Sequence, residues 1–441
     1  MKGTAAEESP SFADLEDAWF VLSPEDRREG FRLLPRLEAE EFFLTLGAQD
    51  QAQLIAGIPP EERRSWMRLL APDDAADVIQ NFPPAERDAL VALLDARTRQ
   101  EVRALLAYAE DEAGGLMSPR FARVRADMTA DEAIAYLRRQ ARGQLETLAY
   151  VYVLDPDQRL RGVLSFRDLF RLPADHPVSE AMERDPVTAA EHLDQEDLGR
   201  LFAETGLLAI PVVDADGRMK GIVTIDDAVE VVEEEATEDV QRIGGTEPLE
   251  RPYLQVGFAE MVKKRAGWLG VLFVGELLTA TAMGRYEDEI AKAVVLAVFV
   301  PLIISSGGNS GSQASTLVIR ALALGELRLR DWWRVARREL ASGLALGGVL
   351  ATLGIARVLI GEVLFGIYGG HAWGLGLTVA ASLLGVVLFG TLVGSMLPFL
   401  LRRLGLDPAS ASAPFVATLV DVTGLVIYFT AATLILRGTL L

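Results

Sequence analysis

The chain of 441 residues contains no cysteine and only three histidines, His176, His192 and His371. Without thiols there is no disulfide framework, thiolate metal centre or cysteine nucleophile. The histidines lie outside the long apolar runs and no HExxH motif occurs, so an intramembrane enzyme built on metalloprotease or Ser-His chemistry has no residues to run it. The front of the chain is also short of positive charge. From Lys263 onward there are 15 Lys/Arg against 10 Asp/Glu, a surplus of +5, so the formal −20 of the whole chain leaves −25 for residues 1–262. That charge argues against a nucleic-acid partner and suits a protein that gathers cations, although an ordinary solvated acidic domain has the same composition. No basic-plus-apolar leader opens the chain, so the front portion is expected in the cytoplasm.

Long apolar runs fill the remainder. Five are read as membrane spans, at about 266–284, 290–323, 333–361, 374–401 and 410–436, each long enough for a hydrocarbon core of about 30 Å. Arginine and lysine concentrate in alternate connections: Lys263 to Arg265, Arg328 to Arg338, and Arg402 with Arg403. The positive-inside rule then places the N-terminus in the cytoplasm and the C-terminus outside.

Two stretches do not fit a plain bilayer helix. In Ala413 to Tyr428, APFVATLVDVTGLVIY, Asp421 sits mid-span, where a charged carboxylate costs roughly 2.5–3.5 kcal/mol even on lenient insertion scales. It is the first candidate for a cation path, against the plainer alternative of an ion pair with a basic residue such as Arg320 or Arg357. Glu276, in the first span, is a second intramembrane acid. The other stretch is Ser305 to Thr316, SSGGNSGSQAST, read as a Gly-rich break in the second span, of a kind tolerated only where it is buried or lines a cavity. Asn309, Ser312 and Gln313 would offer oxygen ligands there and the Gly307–Gly308 pair its carbonyls; small-residue helix packing is the competing reading.

The cytoplasmic portion has its own organisation. Residues 1–113 read as an α-solenoid of short helices opened by proline, in SPEDRR from Ser23, PPEERR from Pro59 and PPAERD from Pro83. Glu41, Asp73 and Asp77 fall among these helices, where a solvated face is the ordinary role for acids. Residues 114–239 change to alternating strands and helices and repeat themselves: YVYVLDPDQRLRGVLSFRDL from Tyr150 matches IPVVDADGRMKGIVTIDDA from Ile210 at a spacing of 59. In each copy an aspartate, Asp168 or Asp227, is expected to cap a helix start. With LMSP at Leu116 and EAMERDP at Glu180 leading in, the segment resembles a tandem pair of α/β CBS domains. The run EVVEEEATEDV carries Glu235, Glu238 and Asp239 on one helical face, where like charges repel unless a cation sits among them. Residues 240–262 are expected to form a connecting helix, and 263–441 an all-α transmembrane domain of five helices.

The succession GGNSGSQ at Gly307, LPFLLRRLG at Leu397 and ATLVDVTGL at Ala417, behind a helical domain and a CBS pair, resembles the MgtE family of magnesium channels. The resemblance implies a homodimeric Mg2+-selective channel of the inner membrane, closed when cytosolic Mg2+ bridges acids of the N-domain, the CBS pair and a plug helix, with ATP as a further ligand of the CBS pair. It implies pore ligands at Asp421, Ala417 through its carbonyl, Asn309 and Ser312. It implies regulatory ligands at Glu41, Asp73, Asp77, Glu196, Asp227, Glu235, Glu238, Asp239 and Asp407. The chain departs from the family pattern at Ser312 and Ala413, where asparagine is usual, and at Gly206, acidic in some relatives. The rival expectation is a secondary carrier for Mg2+, Co2+ or Zn2+ that exchanges protons on Asp421 or Glu276; a nucleotide-sensing scaffold would have no use for Asp421.

Overall fold

A computed structural model describes residues 11–143, 145–249, 251–368 and 370–440; the polar leader lies outside the described residues. The chain divides into two compact units, Met1–Glu235 and Ala236–Leu441, taken separately below.

In the first unit, eight helices of 7–10 residues run from Phe12–Ala18 to Ala96–Leu105. Pro24, Pro60, Pro72 and Pro84 each stand in the first turn, where the missing N–H would be unpaired anyway. Alternate helices stack on one another, as in a solenoid. The amphipathic faces meet in a core of Phe42, Phe43, Ile55, Met67 and Ile79, with the Trp19 ring edge-on to Phe42 at 5.0 Å between centroids.

The repeat forms two three-stranded sheets of the same topology. A two-residue strand, Arg123–Val124, pairs in parallel with Tyr150–Leu154, which is antiparallel to Leu160–Ser165. Ala189–Ala190, Ala209–Val213 and Met219–Thr224 repeat the arrangement, with Val153 opposite Gly162 in one sheet and Val212 opposite Gly221 in the other. The modules are interlocked, because Ser118 bridges to Ile222 and Glu183 to Val163, so each lead-in lies on the other module's last strand. That approach is why glycine stands at 162 and 221. A Cβ would meet the Glu183 carbonyl at 2.5 Å in one case and the Ser118 carbonyl at 2.7 Å in the other. The expected aspartate caps differ in detail: Ser165 caps its helix and donates its hydroxyl to Asp168, and Thr224 donates to Asp227 at 2.6 Å.

In the second unit, five helices are long and apolar enough to cross a membrane. They are Phe258–Arg285, Val295–Ala323, Trp332–Phe365, Ala372–Arg403 and Ala413–Leu436, the first to fifth spans. Two expectations need correction. Residues 240–262 are not one connecting helix, because the helix Ile225–Ile243 ends at Gly244–Gly245, with Gly245 at φ 75°, and the first span begins at Phe258. Pro248 and Pro252 lie between and cannot supply helical N–H groups.

Nor is the second span broken, for SSGGNSGSQAST lies within one continuous helix. Its glycines are packing devices. A Cβ on Gly390 would come within 2.4 Å of the Gly307 carbonyl, and one on Gly394 within 2.1 Å of that of Gly311. Two small-xxx-small stripes therefore cross backbone to backbone, and the carbonyls expected to line a cavity belong to the helical ladder. The core beneath them includes Ile303, Val386, Val416 and Val420, and the buried Tyr428 hydroxyl donates to the Leu296 carbonyl at 2.8 Å.

Candidate functional site

The fifth span carries Asp421 on an unbroken helix that packs against the first, second and fourth spans. The first and fifth spans meet along Trp268 and Phe415, where the indole N–H donates to Ser412 at 3.1 Å, and along Gly275, where a Cβ would strike Thr418. One position on, the Glu276 side chain stands within hydrogen-bonding reach of Asp421. Neither Arg320 nor Arg357 is the partner of Asp421; the group that faces it is another carboxyl.

The remaining pore candidates are placed unevenly. Gly308 packs over Ala417, where a Cβ would stand 3.5 Å from the alanine methyl, so the second span approaches the fifth one turn before Asp421. The Ala417 carbonyl falls within the helix, one turn before the Asp421 N–H. Asn309 is exposed, and its amide reaches back to the Ser305 hydroxyl at 3.4 Å. Ser312 donates to the Ala413 carbonyl at 3.1 Å, so the two positions where the sequence departs from asparagine touch each other across the second and fifth spans.

In the first unit the acids of helix Pro72–Gln80 meet those at the start of helix Ile225–Ile243. Asp73 is only 7% exposed, and one of its carboxylate oxygens is buried without a hydrogen-bond partner. Burial, reinforced by Glu146, Asp74 and Asp227, pushes its carboxyl well above the usual range. Burial likewise raises Asp77 to about 8, with Asp74, Asp227 and Glu230 adding repulsion. Asp227 rises to about 6, again chiefly through burial, against the opposing bond from Thr224. Sequence reading missed Asp74, Glu146, Asp226 and Glu230. Asp74 and Asp226 adjoin named residues and were within reach of it, whereas Glu146 sits in an irregular loop without a pattern to mark it.

The other regulatory candidates lie elsewhere. Glu41 is exposed on helix Arg36–Thr45 and is not among the acids that act on Asp73 or Asp77. Glu196 lies in the first turn of helix Gln195–Thr205, at 4.0 Å from the Arg200 guanidinium. Glu235 accepts from the Gln195 amide. Glu238 and Asp407 are both ion-paired with Arg242, and Asp407 also caps the turn Pro408–Ser410 through the Ala409 N–H at 2.8 Å. Asp239 shares the helix with Glu235 and Glu238. Among the described residues no three acids or histidines converge tightly enough to hold a bare metal ion. Mg2+ keeps several of its waters and needs only one or two carboxylates, so spaced acids suit it better than a closed cage.

An N-terminal helical stack, an interlocked CBS pair and five apolar helices with an intramembrane acid define a multi-domain membrane protein of the ion-transport class. Residues 11–111 match the MgtE intracellular N domain, 113–175 and 178–234 the CBS domain, and 300–431 MgtE, described as a divalent cation transporter. The chain is 45% identical over 346 residues to Magnesium transporter MgtE of Thermus thermophilus, spanning 78% of this chain and 75% of that one. It is 32% identical to the protein of the same name from Enterococcus faecalis, over 76% of this chain and 72% of that one. A solved structure of the cytosolic domain of the Mg2+ channel MgtE in complex with ATP aligns at 42% identity and TM-score 0.46, over 50% of this chain and 90% of that one. The chain belongs to the MgtE family, whose members are transporters and not enzymes.

Proposed function

We propose that this protein is a Mg2+-selective channel of the cell's inner membrane, working as a homodimer with its N-terminus in the cytoplasm and its C-terminus outside, and closed by cytosolic Mg2+. The observation that carries the reading is the intramembrane pair, in which Glu276 and, among the described residues, no base acts on Asp421. A carboxylate kept in a bilayer without a permanent counter-ion needs a mobile one, and a partly hydrated divalent cation, which keeps several of its waters, needs only one or two such carboxylates. Asn309, Ser312 and the Ala417 carbonyl are proposed to line the same path.

Gating follows from the crowded acids of the first unit. Cytosolic Mg2+ among Asp73, Asp77 and Asp227 would relieve their repulsion and hold the closed arrangement; its loss would let the charges part. Glu41, Glu196, Glu235 and Asp239 are proposed as further regulatory ligands, and Glu238 and Asp407 as ligands that Mg2+ reaches only by displacing Arg242. For ATP the residues give weaker support. A recess on the first CBS module holds Arg139 over the Tyr136 ring, but also Glu132, and its Arg125 is already engaged by Asp127 at 3.0 Å. No part of the gate is therefore routed through a nucleotide.

The deciding experiment is Mg2+ flux into liposomes carrying Asp421→Ala. Flux should fall at least about tenfold, given the cost of keeping an acid there for any other reason; undiminished flux would remove Asp421 from the path. The same carboxyl contact favours a second reading, a carrier that trades a proton shared by Asp421 and Glu276 for the cation. Unitary currents in a planar bilayer separate the two, because a carrier gives none.

A further inference from the structure

The third span is longer than a membrane requires. Its 34 residues rise about 51 Å at 1.5 Å each, against a hydrocarbon core of about 30 Å. Part of the surplus lies at its start, where Arg334, Arg337 and Arg338 occupy the first two turns, with Arg328 and Arg330 just before. All five are exposed. None has an ion-pair partner among the described residues. Asp331 accepts the Arg328 backbone N–H at 3.0 Å, and Glu339, next in the chain to Arg338, interacts with that guanidinium without forming an ion pair.

The segment is anchored. Val335 is buried against Val318, Leu322 and Phe399, and Arg402 from the end of the fourth span donates to the Leu322 carbonyl at 3.1 Å. Arg334 and Arg338, four apart, share one side of this fixed helix with Arg337 beside them, and Arg330 stands in the turn just before it; all four are exposed. Trp332 and Trp333, both exposed and edge-to-face at 5.5 Å, stand beside them. Tryptophan is enriched at the level of lipid headgroups, and guanidinium forks match phosphate oxygens two bonds at a time. Guanidinium groups without an ion pair, on a rigid scaffold at that depth and with indoles alongside, form a receptor for a phosphodiester anion fixed in the membrane plane.

We propose that the face built by Arg330, Arg334, Arg337 and Arg338 with Trp332 and Trp333 binds the headgroup of an anionic phospholipid. The inference rests on the five helices spanning a bilayer, and not on which ion passes between them.

The test uses the full-length protein in nanodiscs of phosphatidylcholine doped with phosphatidylglycerol, one lipid or the other brominated on its acyl chains. Brominated phosphatidylglycerol should quench tryptophan fluorescence more than brominated phosphatidylcholine does, and Trp332→Phe with Trp333→Phe should remove the excess. Arg334→Gln, Arg337→Gln and Arg338→Gln together should weaken the preference at least about tenfold, while Lys at the same positions retains part of it. Equal quenching by the two lipids, or a preference that survives the Gln variant, overturns the proposal. Loss of the preference on adding inorganic phosphate would also overturn it, by making the site one for a free anion. Mg2+ flux into phosphatidylcholine vesicles, measured on the same variants, keeps a failure here distinct from a failure of the channel reading.

Discussion

Two groups of carboxylates in this protein meet their charge in opposite ways. Around Asp73, Asp77 and Asp227 the dominant influences are burial and other acids, and an oxygen of Asp73 is buried with nothing to bond. Around Glu238 and Asp407 a guanidinium is built in, because Arg242 pairs with both. In the sequence nothing separates the two groups, which are acids spaced along helices apart from Asp407 in its loop. The difference lies in what each needs from outside. The first holds its packing only if a proton or a metal ion supplies positive charge, since an uncompensated buried carboxylate is strongly disfavoured. The second carries its own neutralisation, so an arriving cation must displace an arginine.

The largest effect that sharpens this contrast is expected at Asp77. Its rise from 3.8 to about 8 sets an upper bound of about 6 kcal/mol on the cost of ionising it in place, at about 1.4 kcal/mol per unit. Asp77→Asn removes that cost. In the cation-free, full-length protein at pH 8, amide hydrogen exchange across helix Pro72–Gln80 should slow, and added Mg2+ should slow it little further. Faster exchange in the variant would mean that the carboxylate is favourably held without metal, which would erase the contrast.

A smaller effect is expected from pH alone. Because Asp77 and Asp227 have raised values in the native state, that state binds more protons than the unfolded chain between about pH 4 and 8, and stability falls as pH rises through that window. With chelator present, the helix should therefore exchange more slowly at pH 5.5 than at pH 8 after correction for the intrinsic rates. Saturating Mg2+ should flatten the difference. The opposite slope would point to a hidden basic partner.

Much of the architecture was legible because its signals are local. The 59-residue repeat reappears as matching registers, Val153 with Gly162 and Val212 with Gly221, and proline marks helix starts at Pro24, Pro60 and Pro84. What could not be read was which surfaces meet. A Gly-rich stretch in a span fits either a broken helix or a close crossing, and only Gly390 and Gly394 on the facing helix decide for the crossing. Likewise no spacing tells that Ser118 pads the strand of Ile222, over a hundred residues on, or that Glu146 leaves a loop to join the Asp73 group. Asp421 was legible as an anomaly, since hydrophobic context alone makes a charge stand out; its partner was not, since either an arginine or an acid satisfied the pattern.

The smallest effect concerns the neutralised pair. Arg242, Glu238 and Asp407 are each about one-third exposed, and ion pairs that wet contribute about 0.5–1 kcal/mol. Arg242→Gln should therefore destabilise the turn Pro408–Ser410 only slightly, raising amide exchange there a few-fold in the absence of cation. Its informative consequence is the one that follows on adding Mg2+. With the guanidinium gone, Glu238 and Asp407 acquire the unmet charge that Asp73 and Asp77 have by construction, so Mg2+ should now protect this turn where in the unaltered protein it does little. If protection by Mg2+ is the same with and without Arg242, the cation and the arginine do not compete for these two acids, and the division between conditional and self-neutralised carboxylates does not hold at this end of the molecule.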